Sequence, residues 1–197
     1  MLKKSLVFKD NITKDEVNEL PLDGYKGKYT VITSADELDK AFSKINKQKF
    51  VGFDTETKPT FKKGQYHAVA LIQIGIPDEV FLIRINQIGL ADQIISFFEN
   101  EKVQKIGVAL TDDIKDLQKV KNFNPAGFVD LSKEVKQVGI ESNGLRKLTA
   151  IMLGFRITKN AQVSNWEAAE LTEKQLRYAA TDAWVCLEMY EKLLRVV

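Results

Sequence analysis

Histidine and cysteine are nearly absent: one of each in 197 residues, with four prolines and two tryptophans. A single thiol, Cys186, excludes an internal disulfide, and its apolar helical surroundings point to a reducing, cytoplasmic setting, or a nuclear one if the source is eukaryotic. With His67 as the only imidazole and no paired Cys/His spacing, a conventional zinc site is not expected. Any metal must be held by oxygen, which suits magnesium or manganese. There is no apolar run long enough to span a bilayer and no apolar signal segment after Met1, so no membrane association is expected. Nothing resembling a linker, an internal repeat or a low-complexity tract divides the chain. Neither sign of charge dominates. Lysine and arginine total 29 against 27 acids, and the net charge of +2 permits a nucleic-acid partner without demanding one.

What is present is an ordinary core-forming composition, 44% hydrophobic and 28% charged, in a chain long enough to bury a sizeable core. Residues 1–28 read as an irregular arm, with a short helix starting at Thr13 and turn residues at Leu20-Pro21-Leu22-Asp23-Gly24. Regular patterning begins with the strand Tyr29–Thr33. Ser34 and Glu37 then form a capping box for a helix with Leu38, Ala41, Phe42 and Ile45 on one face. Phe50-Val51-Gly52-Phe53 opens a buried strand. Residues 68–76 and 80–83 flank a Pro-Asp turn and predict an antiparallel hairpin. Further on, the pattern predicts a helix over 91–99, a strand over 103–109 and a helix capped by Thr111. A short apolar stretch at 128–131 then leads into a helix through Val138. A helix over 145–153 stops at Gly154, and a long one opens at the Thr172/Gln175 capping box and runs to about Leu194. Early strands followed by alternating strands and helices give an α/β fold, a mixed central β-sheet flanked by helices.

Acids gather at element ends. Asp54 and Glu56 stand at i and i+2 of a strand, hence on one side of it. Two carboxylates ~4 Å apart repel by ~4 kcal/mol at an effective dielectric near 20, so such a pair favours a cation. Asp112 and Asp113 follow the 103–109 strand at a helix start, where aspartate also serves the helix dipole. Tyr178 and Asp182 sit at i and i+4, one above the other on a helix face among small residues.

In order, Phe53-Asp54-Thr55-Glu56, the segment from Gly107 to Leu117, and Tyr178-Ala179-Ala180-Thr181-Asp182 resemble the three motifs of the DEDD superfamily of 3′–5′ exonucleases, in its tyrosine-bearing subclass. Ala70-Leu71-Ile72-Gln73-Ile74, Ser164-Asn165-Trp166 and the run from Leu171 to Ala183 are similar to the Werner-syndrome exonuclease domain and ribonuclease D relatives. The resemblance covers about residues 29–194. It implies a ribonuclease H-like exonuclease domain over 29–197 and release of nucleoside monophosphates from single-stranded or 3′-recessed nucleic acid, with DNA favoured over RNA. It also implies two divalent cations, Mg2+ or Mn2+, held by Asp54, Glu56, Asp113 and Asp182. Asp113 is preferred to Asp112 because the family aspartate is followed four residues later by an apolar residue, here Leu117. Tyr178 would orient the attacking water; a phenol with an ordinary pKa near ~10 is a poor base but a good hydrogen-bond partner. Thr57 stands where the Werner-type domain carries a tryptophan.

Among the remaining residues, Lys58 is the candidate phosphate contact, by its proximity to Glu56. Trp166 could stack on a base, but its apolar surroundings favour a loop anchor packed on the core. Trp184 is expected in the core and His67 in a polar loop.

Overall fold

The computed structural model describes residues 8–197, so the first seven residues of the N-terminal arm lie outside the described residues. In chain order the elements are α1 (Lys14–Glu19), β1 (Lys28–Ile32), α2 (Ala35–Ile45), β2 (Phe50–Thr57), β3 (Val69–Ile76), β4 (Glu79–Ile83), α3 (Ile85–Ile88) and α4 (Asp92–Phe98). They continue with β5 (Gln104–Gly107), α5 (Thr111–Val120), β6 (Phe128–Asp130), α6 (Leu131–Glu134), a 3-10 helix (Val135–Val138), α7 (Leu145–Leu153) and α8 (Glu173–Leu194). Among the described residues no helix is long and apolar enough to cross a membrane.

The six strands form one sheet in the order β1-β4-β3-β2-β5-β6. The expected hairpin is β3–β4, with Ile74 opposite Phe81. β3 also pairs antiparallel with β2, whereas β5 runs parallel to β2 and β6 parallel to β5. β1 closes the other edge, parallel to β4. This is the mixed sheet the patterning predicts.

Alternation along β2 assigns its two faces. Val51 and Phe53 point into a layer built with Leu38, Phe42 and Ile45 of α2 and Phe97 and Phe98 of α4. Gly52, Asp54 and Glu56 face α8. Gly52 lies opposite Gly75 in the β2–β3 register. A Cβ on Gly52 would fall 1.9 Å from the Ala183 carbonyl oxygen, and one on Gly75 3.3 Å from the same oxygen. Paired glycines on the sheet and Ala179, Ala180 and Ala183 on the helix therefore let α8 approach the strands more closely than side chains on both surfaces would allow.

Local signals hold where side chains bond their own backbone. Thr13 with Glu16, Ser34 with Glu37, and Thr172 with Gln175 each form a capping box, and Gly154 ends α7 in the left-handed conformation at φ 81°. Two expectations are corrected. Thr111 is the first helical residue of α5, and Leu110 holds the cap position without a side-chain bond. The chain turns there through Ala109, at φ 59°, which buries Leu110 and leaves Thr111 exposed. The single helix expected through Val138 is split: α6 is capped by the Asp130 carboxylate accepting from Ser132 N at 3.0 Å. A 3-10 turn follows, ended by Gly139 at φ 84°.

Candidate active site

At the C-terminal end of β2, period-two alternation delivers Asp54 and Glu56 to the face covered by α8, and the glycine-mediated approach of α8 brings Asp182 to meet them. Oxygens of these three carboxylates lie within 4.8 Å of one another, the one such group of potential metal ligands among the described residues. The β2–β3 register shifts between Glu56 and Thr57, an irregularity that re-aims side chains where the strand ends.

Like charges in a desolvated space drive carboxylates toward their protonated forms. Burial, then the charge of Asp113, raises Asp54 to about 7. Burial, then Asp54 and Asp182, raises Glu56 to about 10. Burial and Asp54 push Asp182 well above the usual carboxylate range. A hard divalent cation relieves both penalties at once, and an all-oxygen donor set fits it. These residues therefore suit the group that the sequence implies.

Asp113 is brought to the neighbourhood but stands apart from the three-acid group. Its carboxylate accepts a hydrogen bond from the Thr55 hydroxyl, on the opposite side of β2, and burial raises its pKa. Asp112 is exposed and paired with Lys115 at 3.4 Å, and Asp116 with Lys119 at 2.6 Å. Of the three, Asp113 is the one whose charge bears on Asp54.

Tyr178 lies one helical turn before Asp182 and is buried. Burial, then the Asp182 and Glu56 carboxylates, raises its phenol further above its ordinary value, so it stays protonated. Its ring packs against Trp166, with centroids 6.1 Å apart. Trp166 is fully buried, as its apolar surroundings predict. Trp184 is only half-buried; its indole stacks on Phe155 with centroids 5.9 Å apart and donates to Glu188 at 3.1 Å.

Two residues escaped the sequence reading. Glu167 accepts from Lys58 at 3.1 Å and contacts His67 Nδ1 at 2.9 Å, tying both ends of the β2–β3 connection to the segment after Trp166. Lys58, just past the end of β2, is thus held half-buried in an ion pair. Gln73 lies directly opposite Asp54 on β3, fully buried, and neither its amide nitrogen nor its oxygen has a partner. A polar residue within an otherwise apolar strand is the sequence signal Gln73 offers, and Glu167, in the loop before α8, offers none.

A family model described as 3′–5′ exonuclease matches residues 29–197. The Mus musculus bifunctional 3′-5′ exonuclease/ATP-dependent helicase WRN is 33% identical over 149 residues, covering 73% of this chain and 11% of that protein. The Aedes aegypti exonuclease mut-7 homolog is 29% identical over 189 residues, covering 83% of this chain and 26% of that protein. The chain thus spans a minor part of the length of either. Among solved structures, the Aedes aegypti Nibbler EXO domain superposes with a TM-score of 0.77 at 27% identity, covering 88% of this chain and 91% of that one. Escherichia coli RNase D gives a TM-score of 0.77 at 24% identity over 85% of this chain and 44% of that one, a likeness of fold.

Proposed function

This chain belongs to the 3′–5′ exonuclease family of the DEDD superfamily, and from that membership we propose that it removes nucleoside 5′-monophosphates from the 3′ end of a nucleic-acid strand with the site at Asp54, Glu56 and Asp182. The observation that carries the proposal is the convergence of those three carboxylates within 4.8 Å, one helical turn from a tyrosine.

We assign Asp54, Glu56 and Asp182 as ligands of divalent cations, two in number, magnesium or manganese, with Asp113 completing the set from the Thr55 side. When bound, such ions activate water and neutralise charge developing on the attacking and leaving oxygens of an in-line phosphodiester displacement. In that displacement the water oxygen bonds to the terminal phosphorus and the bond from phosphorus to the penultimate 3′ oxygen breaks. The products are a nucleoside 5′-monophosphate and a strand shortened by one residue with a free 3′-hydroxyl. The protein's own part is positioning. Tyr178, held protonated and braced by Trp166, orients the water through its hydroxyl. Lys58, anchored by Glu167, offers a cation at the edge of the site.

A 3′-labelled oligodeoxynucleotide incubated with manganese should release labelled mononucleotide, and Asp54→Asn or Asp182→Asn should abolish release while the fold stays intact. Persistent turnover in both purified variants would contradict the assignment. DNA is the first substrate to test, given the likeness to the Werner-type domain. An oligoribonucleotide of the same sequence, competing in one reaction, decides between DNA degradation and RNA 3′-end trimming. A strand that is bound but never cut, across metals and pH, would instead indicate a binding adaptor.

A further inference from the structure

Beyond the acidic centre, Tyr178 and Asp182 line a cavity of about 460 Å³, whose wall also carries Lys14, Arg146, Lys147 and Lys159. Among the described residues Asp182 is the only acid in that wall, and none of the four cations pairs with a carboxylate. Arg146 donates to the Asn18 side-chain oxygen at 3.0 Å, and its buried Nε has no partner. Asp15 and Glu16 lie on the same helix as Lys14 but outside the wall, and Glu16 is bound to Lys9 at 3.1 Å.

Lys14 comes from the N-terminal arm, which precedes the segment matched by the family model. From Asp10 onward the arm is stitched to the domain. The Asp10 carbonyl accepts from Glu141 N at 2.6 Å, and Ile12 and Val17 are buried against Ala150 of α7. Arg156 donates to the Leu20 carbonyl at 3.0 Å, and Tyr25 N donates to the Thr181 hydroxyl at 3.0 Å, next to Asp182. Lys14 is thereby held on a built wall rather than on a loose tail.

We propose that α1 of the arm, together with Arg146, Lys147 and Lys159, forms a cradle for the phosphodiester backbone of the nucleotides that precede the scissile bond. This rests on the exonuclease reading for its direction: the 3′ end lies at the carboxylates and the preceding phosphates run along the basic wall. The charge pattern fits that path. A polyanion that must approach an acidic centre gains from cations immediately upstream. The ligand class is a single strand, of DNA or RNA, recognised by its phosphates and not by its bases.

The test is binding of fluorescent single-stranded oligonucleotides, one DNA and one RNA, to the full chain across a salt series, with calcium replacing manganese to suppress turnover. Deleting the arm would uncover Ala150, so point substitutions of the lysines are the right probes. Lys14→Ala and Lys147→Ala should each weaken binding several-fold and lower the slope of log K against log salt by about 0.7, the value for one phosphate contact on a single strand. Lys40→Ala, which removes the same charge from α2 on the opposite face of the sheet, should do neither. Wild-type affinity and slope in both cradle variants, or equal losses in Lys40→Ala, would overturn the cradle. Mononucleotide release by the wild type in manganese, run alongside, reports separately on the exonuclease reading.

Discussion

Gly52 and Ala183 are in backbone contact across the sheet–helix interface, with space for a hydrogen on the glycine and none for a methyl group: a Cβ there would sit 1.9 Å from the Ala183 carbonyl oxygen. Ala183 follows Asp182, and Gly52 lies two residues before Asp54 on the same face of β2. The distance between the two halves of the acidic centre is therefore set by the bareness of one strand residue.

Replacing that hydrogen should be costly. Gly52→Ala must push α8 off the sheet, since the obstacle is backbone and cannot rotate away. Overpacking of this kind costs on the order of 3 kcal/mol. Urea denaturation should show that loss, and mononucleotide release should fall further than stability alone explains, because Asp182 moves with the helix. Wild-type stability and activity in the Gly52→Ala variant would refute the packing account.

The acidic centre should make the metal-free protein alkali-sensitive. Unfolded carboxylates titrate near ~4, whereas Asp54 is raised to about 7 and Glu56 to about 10 when folded. Between those values the native state binds more protons than the unfolded one. The associated stability is fully present below pH ~4 and is lost as pH rises through 7 toward 10. Denaturation in EDTA across pH 5–9 should show that decline. Glu56→Gln should flatten it and raise the midpoint temperature by several degrees at pH 8.

Manganese should reverse the decline in the wild type. Binding to the folded state alone adds about 2.7 kcal/mol at a hundredfold excess over the dissociation constant. Calorimetry at pH 8 should record a metal-dependent rise in the midpoint for the wild type and little or none for Asp182→Asn.

Tyr178→Phe keeps the ring against Trp166 and removes only the hydroxyl. If that hydroxyl orients the water, kcat should drop by on the order of 10² with KM little changed. Trp166→Leu should lower kcat through loss of the brace, and steady-state kinetics on one labelled oligonucleotide would distinguish both from a substrate-binding defect.

Glu79 provides a test on the acid side. Burial works against its charge, but hydrogen bonds from Lys28, Lys44 and Thr30 hold its pKa down at about 2. Its stabilising contribution is present above pH ~4.5 and is lost as pH falls through 2. Glu79→Gln should cost roughly 1–3 kcal/mol at pH 7 and make the acid limb of the stability profile shallower.

Much of the architecture was legible because its signals are local. Ser34 with Glu37 and Thr172 with Gln175 announce helix starts within four residues, Gly154 announces a stop, and the two apolar runs about Pro77-Asp78 announce a hairpin. The pairing of Asp54 with Glu56 followed from strand periodicity alone. The approach of Asp182 did not: it depends on Gly52, Gly75 and Ala183 meeting across the fold, and it could be anticipated only through family resemblance. Leu110 as a cap and the break between Glu134 and Val135 were hidden because burial of Leu110, Leu131 and Val135 overrode local preference. Glu167, Gln73 and the seating of the arm on α7 depend on contacts between segments far apart in sequence, which no window reveals.

The docking of α8 on β2 also has a consequence for biosynthesis. Asp54 and Glu56 emerge from the ribosome long before Asp182, and the strand that carries them cannot complete its acidic centre until residues 173–194 have been made and have folded back. A nascent chain stalled before that point holds two of the three converging carboxylates and no Tyr178, so the acidic centre is assembled only once the C-terminal helix has been synthesised.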